Sequence, residues 1–128
     1  MLSLGMDIGT STVKLVLLWD GAMAKQWIAV HHGRPFACLK KGLSALELDA
    51  DTPFSLCVTG SNTEALLEQD SAIPSLGDIP AIVEGVRWII PQVGSVIEIG
   101  SQGARFITDL QATTQQRLKG PAQSRPLQ

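Results

Sequence analysis

The chain has 128 residues, 45% of them hydrophobic, and a formal net charge of -2, which suits one core-forming domain, or a domain and a fragment. Its 10 Lys and Arg residues are scattered, so there is no electrostatic footprint for nucleic acid, and no apolar run approaches the ~18 residues of a membrane span. The start of the chain lacks the basic region of a secretory signal, and Cys38 and Cys57 sit among apolar residues without further ligands at metal spacing, so both read as buried free thiols of a cytoplasmic protein.

In chain order, Leu2, Leu4, Met6 and Ile8 alternate with Ser3, Gly5, Asp7 and Gly9. Period two marks a half-buried strand, and its second face holds only small residues and one acid, which leaves room for a ligand. Val13 to Trp19 is a second strand, Asp20-Gly21 a hairpin signal, and Ala24 to Val30 the returning third strand. Pro35 suits the first turn of a helix, which Phe36, Leu39, Leu43 and Leu46 continue at helical spacing while Lys40 and Lys41 face outward. Ser55 to Thr59 is a short buried strand, followed by a helix that starts at Gly60-Ser61 and runs through Leu67. Asp78 is the expected N-cap of the next helix, with Pro80 in its first turn, an apolar stripe of Ile79, Ile82, Val83, Val86 and Ile90, and Pro91 as its stop.

Ser95 to Gly100 is a strand and Ala104 to Thr108 its hairpin partner. Trp19, Trp27 and Trp88 are expected in the core or at its rim. No Ile, Val, Phe or Trp follows Ile107, so residues 109–128 are expected to be disordered or to need a partner. The order β-β-β-α-β-α-α-β-β predicts an α/β fold: a ribonuclease-H-like mixed sheet flanked by helices, plus an extra C-terminal hairpin.

The chemistry concentrates in two glycine turns. Asp7 to Leu15 lines up without a gap on Glu98 to Phe106, in the order acid, isoleucine, glycine, two polar residues, a small residue, an apolar residue, a base and an apolar residue. An acid one step before the end of a strand can hold Mg²⁺ directly or through waters. Gly9 lets the backbone approach a phosphate, Thr10, Ser11 and Thr12 supply donors, and Lys14 points at the phosphates or at solvent. Glu98 and Gly100 share a face of their strand as Asp7 and Gly9 do. Two such turns facing each other would clamp a metal–nucleotide, whereas two hairpins of similar construction would need no ligand. A third turn, Thr59-Gly60-Ser61-Asn62, sits at a strand-to-helix junction whose N–H groups favour an anion.

These residues resemble the CoA-substrate-specific enzyme activases: ATP-hydrolysing activators of 2-hydroxyacyl-CoA dehydratases, related to the ATPase subunits of benzoyl-CoA reductase, within the actin, sugar kinase and Hsp70 superfamily. The resemblance covers about residues 2–108. It rests on Gly5 to Lys14, on Val58-Thr59-Gly60-Ser61, on the helix through Gly85 to Pro91, and on Ile97 to Arg105. It implies a first phosphate loop in which Asp7 faces Mg²⁺ and Gly9, Thr10, Ser11, Thr12 and Lys14 surround the phosphates. It implies a second in which Glu98 faces the metal with Gly100, Ser101 and Gln102. Gly60 and Ser61 are the matching third element. The implied division is a nucleotide-binding lobe over 1–92, the opening hairpin of a second lobe over 93–108, and a tail over 109–128, with a hinge between Pro91 and Val96.

Ser101, Gly103 and Arg105 depart from the family pattern of a second glycine, an acid and a lysine, so little or no hydrolysis is expected. The family's cysteine ligands for an iron–sulfur cluster match neither Cys38 nor Cys57, and its adenosine segment has no counterpart. Mg-ATP or Mg-ADP is therefore expected to bind weakly, and the expected partners are a second lobe or partner chain, a second copy, and a dehydratase-like enzyme. A sugar or acyl kinase lobe and a non-catalytic interaction module are the alternatives. A ribonuclease-H-type nuclease would need clustered carboxylates around two metals, and Asp49, Asp51, Glu64 and Asp70 look like surface or cap acids.

Overall fold

The alternation at the N-terminus becomes the central strand of a sheet. In the computed structural model, which describes residues 1–110 and the backbone of 124–126, β1 (Leu2–Ile8) lies between β2 (Thr12–Trp19) and β4 (Phe54–Thr59), and β3 (Ala22–Val30) completes the order β3-β2-β1-β4. β1 is antiparallel to β2 and parallel to β4, while β2 and β3 are antiparallel. This is the expected mixed sheet. Asp20 and Gly21 both have positive φ, 48° and 79°, and Trp19 pairs with Ala22, so the Asp-Gly signal delivers a two-residue hairpin. The parallel β1–β4 pair requires a crossover, and α1 (Pro35–Leu46) supplies it.

One face of the sheet is buried. Leu2, Leu4, Met6 and Ile8 join Val13, Leu15, Leu17 and Val58, and α1 covers them with Cys38, Leu39 and Leu46. At Gly42 the helix lies close against the sheet. A Cβ there would stand 2.6 Å from Leu15 Cδ1 and 2.6 Å from Trp27 Cε3. Gly42→Ala gains about 1 kcal/mol of helix propensity but overpacks a contact whose relief costs about 1–3 kcal/mol. A net loss is expected, because Leu15 is fully buried and has nowhere to go. A lower urea midpoint, read by circular dichroism, checks it.

α2 (Glu64–Gln69) and α3 (Asp78–Ile89) follow, then β5 (Val96–Gly100), β6 (Gly103–Ile107) and β7 (Ser124–Pro126) in the order β5-β6-β7. The chain forms two compact units, Met1–Leu76 and Gly77–Gln128. The second has its own small core, in which Val83 of α3 meets Ile107 and Leu110, with Ile79, Ile82, Val93 and Val96 around them. Contacts thus group α3 with the later hairpin, a division distinct from the lobe proposed over 1–92. β7 pairs with β6 along the edge away from β5, so that edge of the expected hairpin is not open. Most of the tail expected to be disordered, 111–123 and 127–128, lies outside the described residues; Leu110 is buried.

Several local expectations are corrected. The N-cap of α3 is Gly77, and Asp78 stands inside the first turn. α2 begins at Glu64 because a turn intervenes, in which the Thr63 hydroxyl donates to Gly60 O at 2.9 Å. Cys57 is exposed because it falls on the outer face of β4, level with Gly5. Trp19 and Trp88 are more than half exposed and Phe36 is exposed too, whereas Trp27 packs against the core. Asp49 and Asp70 do cap turns, accepting from the N–H groups of Asp51 and Ala72. No helix among the described residues is long and apolar enough to cross a membrane.

Candidate functional site

The repeat seen in the sequence is a repeat in space. Asp7 pairs with Lys14 and Ile8 with Val13 in the first hairpin; Glu98 pairs with Arg105 and Ile99 with Ala104 in the second. Each acid therefore faces its own base across an antiparallel pair. Lys14 Nζ lies 2.9 Å from Asp7 Oδ2, and Arg105 Nε lies 2.9 Å from Glu98 Oε2. This is the packing reason for the acids that the sequence did not disclose. An opposite-charge pair across two strands contributes about 0.2–1 kcal/mol, and for the half-exposed Asp7–Lys14 pair the lower end applies. Arg105 Nη2 also lies 4.0 Å from Asp78 Oδ2, so Glu98 and Asp78 share one guanidinium.

The first turn carries more than an ion pair. Gly60, with φ +106°, is pressed against the end of β1: a Cβ there would stand 2.4 Å from Ile8 O and 2.7 Å from Asp7 Oδ1. Only glycine leaves that carboxylate oxygen its space. The Thr10 and Ser61 hydroxyls meet at 2.9 Å, and the Asn62 N–H donates to Ile8 O at 2.9 Å. Of the first unit's predicted site residues, Asp7, Gly9, Thr10, Lys14, Gly60 and Ser61 thus come together at one end of β1. Ser11 and Thr12 complete the turn, with the Gly9 N–H donating to Thr12 O at 2.9 Å.

Gly100, Ser101 and Gln102 form the tip of the second hairpin, beside Glu98 and in the second unit. Gly103 closes it with φ +121°, a backbone conformation that favours glycine. Among the described residues no group of three His, Cys, Asp or Glu side chains could hold a metal ion.

Two side-chain contacts of the first site were not recognised from the sequence. His31, the only buried polar residue among those described, directs Nε2 to Gly9 O at 3.0 Å. Asn62 directs Nδ2 to the same oxygen at 2.8 Å. Gly9 is 22 residues from His31 and 53 from Asn62, so no local pattern announces either contact.

This sheet, with its crossover helix and its glycine turn at the end of β1, is a fold shared with solved structures of known proteins. Two solved activators are similar in particular. Component A of (R)-2-hydroxyglutaryl-CoA dehydratase from Acidaminococcus fermentans superposes with a TM-score of 0.70 at 22% identity, over 84% of this chain and 42% of that one. The activator of 2-hydroxyisocaproyl-CoA dehydratase from Clostridium difficile, solved with bound ADPNP, gives 0.69 at 24% identity, over 84% and 41%. The uncharacterized Escherichia coli (strain K12) protein YjiL is 27% identical over 105 residues, 82% of this chain and 40% of that protein. No family model matches the chain. The chain spans about two fifths of the length of these relatives.

Proposed function

We propose that the chain is the N-terminal part of an ATP-dependent activator, and that the Asp7–Thr12 turn receives the phosphoryl groups of a magnesium nucleotide. One observation carries this reading. At the end of β1 a carboxylate, a glycine with no room for a side chain, and hydroxyls from two separate turns converge, although Thr10 and Ser61 are exposed and add nothing to the core. The ADPNP bound by one similar activator supports it.

Mg²⁺ usually takes one or two carboxylates and fills its remaining positions with phosphate oxygens and water. Asp7 suits that role, since Gly60 leaves Oδ1 its space while Lys14 holds Oδ2. The ion, when bound, would neutralise phosphate charge. Thr10, Ser11 and Thr12 would donate to the phosphates, Lys14 would exchange Asp7 for a phosphate oxygen, and Gly60 and Ser61 would border them. Glu98, Gly100, Ser101 and Gln102 are proposed as the second phosphate-facing turn. In the complete activator, nucleotide turnover would energise electron transfer to a 2-hydroxyacyl-CoA dehydratase-like iron–sulfur enzyme in the cytoplasm, with the cluster ligands and adenosine pocket supplied from outside these residues.

The expected result is weak, saturable binding of Mg-ADP in a calorimetric titration, with little ATP hydrolysis. Sub-micromolar affinity contradicts a partial site, and no binding at millimolar nucleotide overturns the reading. A second reading, a non-catalytic interaction module, is favoured by the exposed Trp88, Ile89, Ile90, Ile97 and Ile99 of the second unit, since exposed apolar surface marks interaction sites. A dimer that ignores Mg-ATP in size-exclusion chromatography would support that second reading.

A further inference from the structure

Two-residue hairpin loops favour left-handed residues, because those match the twist of the flanking strands. The Asp20-Gly21 turn obeys this, with both residues at positive φ. The turn after β1 is built differently: the Ile8–Val13 pair encloses four residues, 9–12, closed by one bond from the Gly9 N–H to Thr12 O, and neither Thr10 nor Ser11 has positive φ. Its shape is held from outside. The His31 N–H donates to Ser11 O at 3.0 Å, and the Gly9 carbonyl accepts from both His31 and Asn62.

The histidine's role is defined by its other nitrogen. Nδ1 lies 3.1 Å from the Gly33 N–H, which can only donate, so Nδ1 accepts and Nε2 carries the proton given to Gly9 O. Gly33 reaches it because His32 and Gly33 turn the chain back with φ of 49° and 78°. A carbonyl has two lone pairs, and at Gly9 both are filled by side chains from different loops. Across a trans peptide the N–H of Thr10 points away from the Gly9 oxygen, and no cis bond occurs here. Gripping the oxygen therefore fixes the plane of the Gly9–Thr10 peptide and the side of the turn on which that N–H lies. Glycine at position 9 would otherwise let the plane rotate easily.

We propose that His31 and Asn62 are positioning residues: together they hold the Gly9 carbonyl and so set the phosphate-receiving shape of the Asp7–Thr12 turn. The proposal rests on the reading of this turn as a phosphoryl site. Because both residues act on one oxygen, their effects should not add. His31→Ala and Asn62→Ala should each weaken Mg-ADP binding about tenfold, and the double variant only slightly more, far short of the product. His31→Gln keeps a donor near the Nε2 position and should recover most of the loss, with far-UV circular dichroism unchanged throughout.

A second readout needs no ligand. The Gly9 carbonyl ¹³C and Thr10 amide resonances should move in both single variants and return toward the parent in His31→Gln. Variants that bind as the parent does, multiply their effects, or leave Gly9 and Thr10 unmoved overturn the positioning role. A parent chain that binds no Mg-ADP while Gly9 still responds overturns the phosphoryl reading instead.

Discussion

Gly60→Ala is expected to lower stability by about 3–5 kcal/mol, among the largest effects a single substitution produces. Two costs combine. The residue has φ +106°, where a side chain costs about 1–3 kcal/mol of backbone strain. The new methyl would also stand 2.4 Å from Ile8 O and 2.5 Å from Ile8 C. Those atoms belong to the main chain at the end of the central strand, so no side-chain rotation can relieve the clash. Either β1 must shift or the Gly60 turn must lift away.

A loss of about 3 kcal/mol corresponds to roughly 12–24 °C in a domain of this class, a shift a thermal melt resolves easily. If the turn lifts away instead, stability falls less but the Thr10–Ser61 contact at 2.9 Å is broken, and nucleotide binding disappears from a folded chain. A variant that melts within about 2 °C of the parent, well under 1 kcal/mol, and still binds Mg-ADP would show that Gly60 does not press on the site.

What the sequence disclosed depended on how local the cause was. The strands of the first sheet were legible because one face of β1 and β2 alternates strictly, and because Asp20-Gly21 can adopt the two left-handed conformations its turn requires. The acid–glycine repeat was legible as pattern, and its gap-free alignment became identical strand register. What stayed hidden was tertiary. Opposite-strand geometry brings Lys14 to Asp7 and Arg105 to Glu98, whereas the sequence alone leaves Lys14 pointing at phosphates or at solvent and gives Arg105 no partner. Cys57 looked buried among Leu56 and Val58, but the pleat of β4 turns it to the outer face. Asn62 appeared in a turn motif without a target. His31 carries no local signal of its role, because its partner carbonyl is set by the return of β3 alongside β2. Gly42 carries no local signal either, since its constraint comes from Leu15 and Trp27 across the helix–sheet contact.

Asp7→Asn separates the two roles open to this carboxylate. If Asp7 serves only the cross-strand pair with Lys14, its loss costs under about 1 kcal/mol, since both side chains are partly exposed, at 35% and 47%, and salt-screened. The amide keeps the volume and can still accept from Lys14, which reduces that cost further. If Asp7 also holds Mg²⁺, the same substitution removes the metal's charged protein ligand. Affinity for Mg-ADP should then fall at least tenfold, about 1.4 kcal/mol, to the level of ADP measured in chelator. Metal-free ADP should bind as well as before or better, because a negative charge beside the phosphates is gone. The diagnostic quantity is thus the ratio of affinities with and without Mg²⁺, read alongside the melting temperature. A ratio that collapses while the melt barely moves assigns the carboxylate to the metal. A ratio unchanged from the parent leaves Asp7 as half of a surface ion pair and removes the metal from this turn.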